Sequence, residues 1–118
     1  MYICVWEFMV TEGTERDFER VYASDGAWME LFKKSPDYIS TELYHDTAST
    51  RRYLTIDRWK SKSAFDDLKR LWHDDYLTLD GRCSCLIDAE RLIGDRVVTV
   101  SSPRTCRRCD SQPVRCFA

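Results

Sequence analysis

The stretch RRYLTIDRWKSKSAFDDLKRLW, residues 51–72, changes its hydrophobic period halfway along its length. Its first half alternates between two sets of side chains and predicts a β-strand over residues 52–60. From Ser63 onwards apolar residues recur at helical spacing, and Ser63 is a suitable cap because acidic residues follow it in the first turn. A strand that passes within a few residues into a helix predicts a domain with a sheet layer and a helix layer.

The remainder of the chain contains three further predicted strands and two further predicted helices. The strands are expected at residues 2–10, 38–46 and 89–100. One helix begins at Thr14 and is interrupted near Gly26, where Ser24 or Asp25 can cap its second piece. Another, shorter helix is expected over about residues 75–86. This order predicts a ferredoxin-like βαββαβ sandwich of the α+β class, with a four-stranded antiparallel sheet.

The size and composition of the chain are those of one soluble domain. It has 118 residues, of which 43% are hydrophobic and 32% are charged. Residues 1–100 form the predicted domain, and residues 101–118, which contain cysteines and arginines, are predicted to be a mobile tail. No apolar run approaches the roughly 20 residues of a membrane span, and there is no secretory signal, so a cytoplasmic protein without membrane contact is expected.

The charge is distributed unevenly between these two parts. Residues 1–100 hold 14 Lys and Arg against 19 Asp and Glu, whereas residues 101–118 hold four Arg and one Asp. An acidic body argues against a phosphate-binding face, and a short basic segment is weak support for one. No nucleic-acid partner is therefore expected.

The six cysteines do not predict a metal site. Cys4 lies in an apolar strand, where a buried thiol is common, and Cys83 and Cys85 are two residues apart in a predicted helix and so do not face each other. The tail offers three cysteines and no histidine, whereas structural zinc takes four ligands. The sequence thus predicts no metal and no cofactor; a tail disulfide, free thiols, or a metal- or redox-sensing tail stay open as alternatives.

Alternation along the strands suggests an apolar sheet face that one subunit cannot cover. The residues assigned to it are Cys4, Trp6, Phe8, Ile39, Leu43, Leu54 and Ile56. A large apolar patch usually meets a partner, and a symmetric pair of sheets is the simplest arrangement that covers it. A homodimer is therefore predicted.

The opposite face is predicted to line a pocket between the sheet and the helices. Alternation assigns to it Val5, Glu7, Ser40, Glu42, Tyr44, Tyr53, Thr55, Asp57 and Trp59. Burial and neighbouring negative charges raise the pKa of a carboxyl group, and a carboxylate with a pKa nearer neutrality can act as a general base. We therefore predict Glu7 and Asp57 as catalytic residues.

The predicted substrate-binding residues are mainly aromatic and suit a flat ligand. They are Trp28, Glu42, Tyr44, Tyr53, Trp59, Trp72 and His73. Some of the predicted site residues also have a structural interpretation: the carboxylates can pair with arginines at strand ends, Trp59 can pack where the strand meets the helix, and His73 can stabilise a helix terminus.

Three segments together resemble the antibiotic biosynthesis monooxygenase family of dimeric α+β barrels. They are MYICVWEFMVTEGTERDFERVY, SPDYISTELYHD and RRYLTIDRWKSKSAFDDLK, and the resemblance covers about residues 2–98. It implies a homodimer whose sheets close a barrel, with a small pocket in each subunit. The activities that it implies are cofactor-independent oxygenation of phenols or quinol precursors, or haem degradation.

The residues that matter in this family are matched unevenly. Its monooxygenases typically use an Asn on the first strand, but this chain contains no Asn and offers Glu7 there. Trp59 matches the family tryptophan near the end of the third strand, whereas His73 lies a turn beyond the histidine position of the haem-degrading members. The resemblance therefore implies a small cofactor-independent monooxygenase acting on, or binding, a small aromatic metabolite. A non-catalytic dimeric ligand-binding or accessory protein is the alternative, and haem degradation is less favoured.

Overall fold

A computed structural model describes residues 1–97, and the predicted tail lies outside the described residues. The strands are β1 (Tyr2–Val10), β2 (Tyr38–His45), β3 (Arg52–Trp59) and β4 (Ile87–Val97). The helices are α1 (Glu15–Tyr22), α2 (Ala27–Phe32), α3 (Lys62–Leu71) and α4 (His73–Cys83), and a short 3₁₀ turn (Ser84–Leu86) leads into β4. The strands form one antiparallel sheet in the order β2-β3-β1-β4, which confirms the predicted ferredoxin-like fold. No helix among residues 1–97 is long and apolar enough to cross a membrane.

The helices pack on one face of the sheet through aromatic side chains. From β1, Phe8 contacts Phe18 and Tyr22 of α1, with ring centroids 5.3 and 5.0 Å apart. From β3, the fully buried Trp59 packs at 5.1 Å from Phe65 of α3. Large aromatic rings bury much apolar area per residue, so this small domain has a dense core on the helix side.

The pairing of β1 with β3 contradicts the predicted assignment of the two faces. Cys4 is opposite Asp57 and Val5 is opposite Ile56, and paired residues of an antiparallel sheet share a face. The helix-covered inner face therefore carries Cys4, Trp6, Phe8, Thr41, Leu43, Tyr53, Thr55, Asp57 and Trp59. The outer face carries Ile3, Val5, Glu7, Met9, Ser40, Glu42, Tyr44, Leu54 and Ile56. Alternation had separated the two sets within β1 and β3 correctly, but the sets of different strands were combined wrongly, because alternation alone does not determine register. Within β2 the register shift between Tyr38 and Ser40 interrupts the alternation, and Ile39, which was predicted on the face of Leu43, is exposed.

The helix starts also differ from the predicted caps. Ser61, not Ser63, caps α3, since its hydroxyl accepts a hydrogen bond from the Ala64 backbone N–H at 3.1 Å. Thr14 precedes α1 but donates its hydroxyl to the Thr11 carbonyl oxygen at 2.7 Å, so its side chain does not cap the helix. Two serines two residues apart leave the cap ambiguous in sequence.

Gly26 forms the corner between α1 and α2 and occupies the N-cap position that was predicted for Ser24 or Asp25. A Cβ atom at Gly26 would lie 2.3 Å from the Val21 carbonyl oxygen and 2.7 Å from that of Arg20. The φ angle of Gly26 is −86°, which any residue can adopt. The requirement for glycine is therefore the close approach of backbone atoms rather than an unusual dihedral angle.

We expect Gly26→Ala to lower the free energy of unfolding by about 2 kcal/mol or more, because the methyl group meets backbone that cannot move alone. Gly81→Ala is the matched control, since Gly81 lies within α4 and its Cβ would meet nothing within 4 Å. This control should raise the stability by about 0.5–1 kcal/mol through helix propensity. Urea unfolding measures both values, and equal behaviour of the two variants would contradict the proposed close contact.

Candidate functional site

A cavity of about 180 Å³ lies between the inner face of the sheet and the helices. Its aromatic lining consists of Trp6, Tyr22, Trp28, Phe32, Phe65 and Tyr76. Its polar lining consists of Thr41, Thr55, Asp57, Asp80 and Glu90. Each of the four strands and each of the four α-helices contributes at least one of these residues. The complete fold is therefore needed to form the cavity.

The aromatic walls are held by mutual ring contacts. The Trp28 ring lies 5.5 Å from Phe32 and 5.2 Å from Tyr76, the latter in an edge-to-face arrangement. Phe32 in turn lies 5.9 Å from Phe65, also edge-to-face. Such contacts fix the ring planes, which gives the cavity a defined shape for a flat ligand.

Asp57 lines the cavity from β3, on the inner face of the sheet. The Thr41 hydroxyl, which lies opposite it on β2, donates a hydrogen bond of 2.7 Å to Asp57 Oδ1. The Tyr38 hydroxyl donates to Thr41 Oγ1 at 2.7 Å, so Asp57 ends a chain of two hydrogen bonds. Burial raises the pKa of Asp57 to about 6, and the hydrogen bond from Thr41 offsets only part of this increase.

Two further carboxylates line the cavity. Asp80 lies on α4 and Glu90 lies on β4. Burial raises the pKa of Glu90, and the negative charge of Asp80 adds to this increase. Burial, followed by the charges of Asp80 and Asp57, raises the pKa of Tyr76 to about 12. The cavity is therefore aromatic in its walls and negative in its electrostatic potential.

Two of the predicted site residues line this cavity. Asp57 was predicted as a catalytic carboxylate and Trp28 as an aromatic wall, and the structure brings both to the same space. Their chemical roles stay predictions, because position alone does not establish them.

Three predicted site residues lie on the outer face, on the opposite side of the sheet. Glu7 makes an ion pair with Arg91 at 3.2 Å, and Glu42 pairs with Arg58. The Tyr44 side chain is half exposed and its hydroxyl donates to Glu42. The prediction that Glu7 and Asp57 act together in one pocket is therefore wrong, because the β1–β3 register places them on different faces.

Tyr53 and Trp59 lie on the inner face but outside the cavity lining. Tyr53 is fully buried, and its hydroxyl donates to Glu19 on α1 at 2.5 Å. Trp59 packs behind the wall, with its ring 5.1 Å from Phe32 and also 5.1 Å from Phe65. It is thus a packing residue at the strand–helix corner that supports the cavity.

Trp72 and His73 lie at the junction of α3 and α4, away from the cavity. Lys34 Nζ is 4.4 Å from the centroid of the Trp72 ring, which is partly exposed. His73 is exposed, begins α4 and has its Nδ1 atom 3.5 Å from an Asp74 carboxylate oxygen. His73 thus lies at a helix terminus, but this is the N-terminus of α4, where the helix dipole does not favour a cation.

The sequence interpretation missed most of the polar lining. Thr41, Asp80 and Glu90 were not among the predicted site residues, although all three line the cavity. One signal was present: Arg52 and Arg58 bracket Leu54 and Ile56 in alternation, which favours that set for an outer face. Nothing in the local sequence indicates that Asp80 and Glu90 meet, because they lie on different elements.

We expect Asp57→Asn to stabilise the domain at pH 8 by about 2 kcal/mol and to have little effect near pH 4. The folded-state pKa of about 6 lies above the ordinary value of 3.8, so ionising Asp57 disfavours the folded state as pH rises through this window. Asparagine can still accept the Thr41 hydrogen bond. Urea unfolding at both pH values measures the effect.

The matched control for this stability prediction is Asp17→Asn on the exposed surface of α1, where the effect should stay below about 0.5 kcal/mol at both pH values. An Asp57→Asn variant that is no more stable than the wild type at pH 8 would contradict the buried, ionisable position described above.

Comparison with known proteins adds the family of the chain. A family model described as antibiotic biosynthesis monooxygenase matches residues 1–71. A search of curated protein sequences finds no match.

Solved structures share the fold at low sequence identity. SnoaB from Streptomyces nogalater, a cofactor-independent oxygenase, is 20% identical with a TM-score of 0.67 over 87% of this chain and 97% of SnoaB. A proposed antibiotic biosynthesis monooxygenase from Deinococcus radiodurans is 7% identical with a TM-score of 0.70, over 90% of this chain and 100% of its own. PA3566 from Pseudomonas aeruginosa is 12% identical with a TM-score of 0.62, over 84% and 94%. These identities support the fold alone, whereas the family model covers more than half of the residues, and the chain therefore belongs to the antibiotic biosynthesis monooxygenase family.

Proposed function

We propose that the chain is a cofactor-independent monooxygenase that oxidises a small phenol in the cavity, with Asp57 as the general base. The observation that carries this proposal is a carboxyl group with a pKa of about 6 in an aromatic cavity of about 180 Å³. Membership of a monooxygenase family agrees with it.

The pKa of Asp57 suits proton abstraction at neutral pH. At pH 7 a carboxyl group with a pKa of about 6 is mostly ionised, and it is a stronger base than an ordinary exposed aspartate. Burial removes water from around Asp57 itself, which strengthens the interaction between the base and a substrate hydroxyl group. The hydrogen bond from Thr41 occupies one carboxylate oxygen and leaves the other for the substrate.

The proposed reaction converts a phenol and O₂ into a quinone and water. Asp57 removes the phenol proton, and the electron-rich phenolate passes one electron to O₂, which gives a substrate radical and superoxide. These combine to form a C–O bond at a ring carbon, and Asp57 returns its proton to the terminal peroxide oxygen. Loss of the ring C–H proton with cleavage of the O–O bond then releases water, so one oxygen atom enters the product and the other is reduced.

The size of the cavity limits the substrate. An engineered apolar cavity of about 150 Å³ in another protein holds benzene, so about 180 Å³ suits one aromatic ring with a small substituent. A haem group is far larger, and no histidine lines the cavity among residues 1–97. The geometry therefore favours phenol oxidation over haem degradation.

We expect Asp57→Asn to lower kcat/KM for a monocyclic phenol such as p-cresol or catechol about 100-fold or more, because the general base is lost. The wild-type kcat/KM should fall as pH decreases through about 6, where Asp57 becomes protonated. An oxygen electrode measures consumption of O₂, and product absorbance measures quinone formation.

Glu7→Gln separates this assignment from the sequence-based one, because Glu7 lies on the outer face. Turnover that survives Asp57→Asn but is lost in Glu7→Gln would reverse the proposed roles. A phenol that binds without any O₂ consumption would instead favour the alternative function, a ligand-binding protein without catalytic activity.

The outer face supports self-association as a second part of the proposal. Its apolar side chains remain partly exposed, whereas the alternate residues Cys4 and Phe8 are buried under the helices. These outer residues are Ile3, Val5, Met9, Leu54 and Ile56. Apolar faces of this kind are usually covered by a partner, and pairing of two sheets in a homodimer covers both copies at once.

We expect Ile56→Asp to convert the dimer into a monomer, since Ile56 lies opposite Val5 at the centre of the outer face. Leu77→Asp, which replaces an exposed residue of α4, is the control and should remain dimeric. Light scattering after size exclusion reports the mass, which for the wild type should be twice the 14.0 kDa of one chain. A wild-type monomer at micromolar concentration would overturn the dimer.

A further inference from the structure

All the charged residues that line the cavity among residues 1–97 are acidic. Asp57 comes from β3, Asp80 from α4 and Glu90 from β4, and no Lys, Arg or His lines the cavity among residues 1–97. We propose that the substrate is a cation, a single phenolic ring that carries an ammonium group. This inference deepens the proposed function, on which it rests, by naming the charge class of the substrate.

Asp80 and Glu90, the two exposed acids of the lining, lack the cationic partners that other acids of this domain have. Glu7 pairs with Arg91, Glu42 with Arg58 and Asp88 with Arg51. In contrast, neither Asp80 nor Glu90 makes an ion pair or a side-chain hydrogen bond with any other described residue. Their charges are therefore balanced by water alone within residues 1–97, and a ligand cation would supply the missing partner.

The aromatic walls favour the same ligand. A cation within about 6 Å of an aromatic ring face is attracted by the ring quadrupole, and the attraction increases when water is excluded. Trp28 and Tyr76 meet edge-to-face at 5.2 Å beside Asp80 and Glu90, so rings and carboxylates border the same space. Aromatic rings combined with carboxylates are a chemical environment suited to alkylammonium groups.

The spacing of the acids points to an organic cation rather than a metal ion. No group of three His, Cys, Asp or Glu side chains within the described chain is spaced to hold a metal. The acids come from three different elements, β3, α4 and β4, and the cavity that they line has room for one aromatic ring with a small substituent. The phenolic hydroxyl would then meet Asp57, while the ammonium group lies between Asp80 and Glu90.

The test compares three probes that share a phenolic ring and differ in charge: tyramine, p-cresol and 4-hydroxyphenylacetate. At pH 7.5 their charges are positive, neutral and negative, respectively. We expect tyramine to bind the full-length protein at least about tenfold more tightly than p-cresol, and 4-hydroxyphenylacetate to bind most weakly. Calorimetry at low and high salt measures these affinities, and the tyramine advantage should shrink as salt increases.

A double variant, Asp80→Asn with Glu90→Gln, should reduce the ratio of tyramine to p-cresol affinity towards one. The p-cresol affinity of the same variant reports whether its cavity is intact. Asp74→Asn with Asp75→Asn is the matched control, because it removes the same number of charges from the exposed first turn of α4. This control should keep the wild-type ratio, since neither residue lines the cavity.

The outcomes separate this inference from the proposed function. If p-cresol binds and is oxidised with dependence on Asp57 while tyramine has no advantage, the cationic substrate is overturned and the monooxygenase stands. If tyramine is preferred through Asp80 and Glu90 without any O₂ consumption, the charge class of the ligand stands and the oxidation is overturned. Binding of none of the three probes would overturn both.

Discussion

The pairing of β1 with β3 is the constraint on which the rest of the structure depends. Cys4 lies opposite Asp57, and Val5 lies opposite Ile56. Because side chains alternate with a period of two, a slip of one residue would turn Asp57 to the outer face and Ile56 to the helices. The buried aromatic residues of β3 resist such a slip, since Tyr53 and Trp59 would both leave a closely packed core. Packing of the two end residues thus holds the acidic residue between them in place.

The fold could be predicted because its signals are local. Each strand and helix has a hydrophobic period within its own segment, and the order of the elements is sufficient for the ferredoxin-like topology. Boundaries were less secure where two residues offer equal caps, as Ser61 and Ser63 do. The corner at Gly26 could be located as a break, but its cause could not, because the carbonyl oxygens of Arg20 and Val21 approach it only in the folded chain.

The candidate site was harder to predict because its geometry is not local. Both faces of β1 and of β3 carry large apolar side chains, so only Arg52 and Arg58 indicate which face of β3 the helices leave uncovered. Asp57 was predicted as a carboxylate and Trp28 as an aromatic residue suited to a flat ligand, and both line the cavity. Glu7 was grouped with Asp57 only by an assumed register. The meeting of Asp80 with Glu90 depends on how α4 packs across β4, which no local pattern encodes.

The position of the cavity next to α4 has an energetic consequence. α4 has 11 residues but fully buries only Cys83, and Tyr76 and Leu79 are only partly buried against the core. Helices gain most of their stability in proteins from packing, so α4 is held less firmly than α1 or α3. Tyr76 and Asp80 are also the residues through which α4 borders the cavity. A ligand that contacts them would add packing to the helix that has the fewest buried residues, and by linkage any change that orders α4 would increase the affinity for that ligand. Ligand binding at this site and the stability of α4 would therefore be thermodynamically coupled. Asp57 lies on the sheet instead, and its burial in the ionised form is unfavourable.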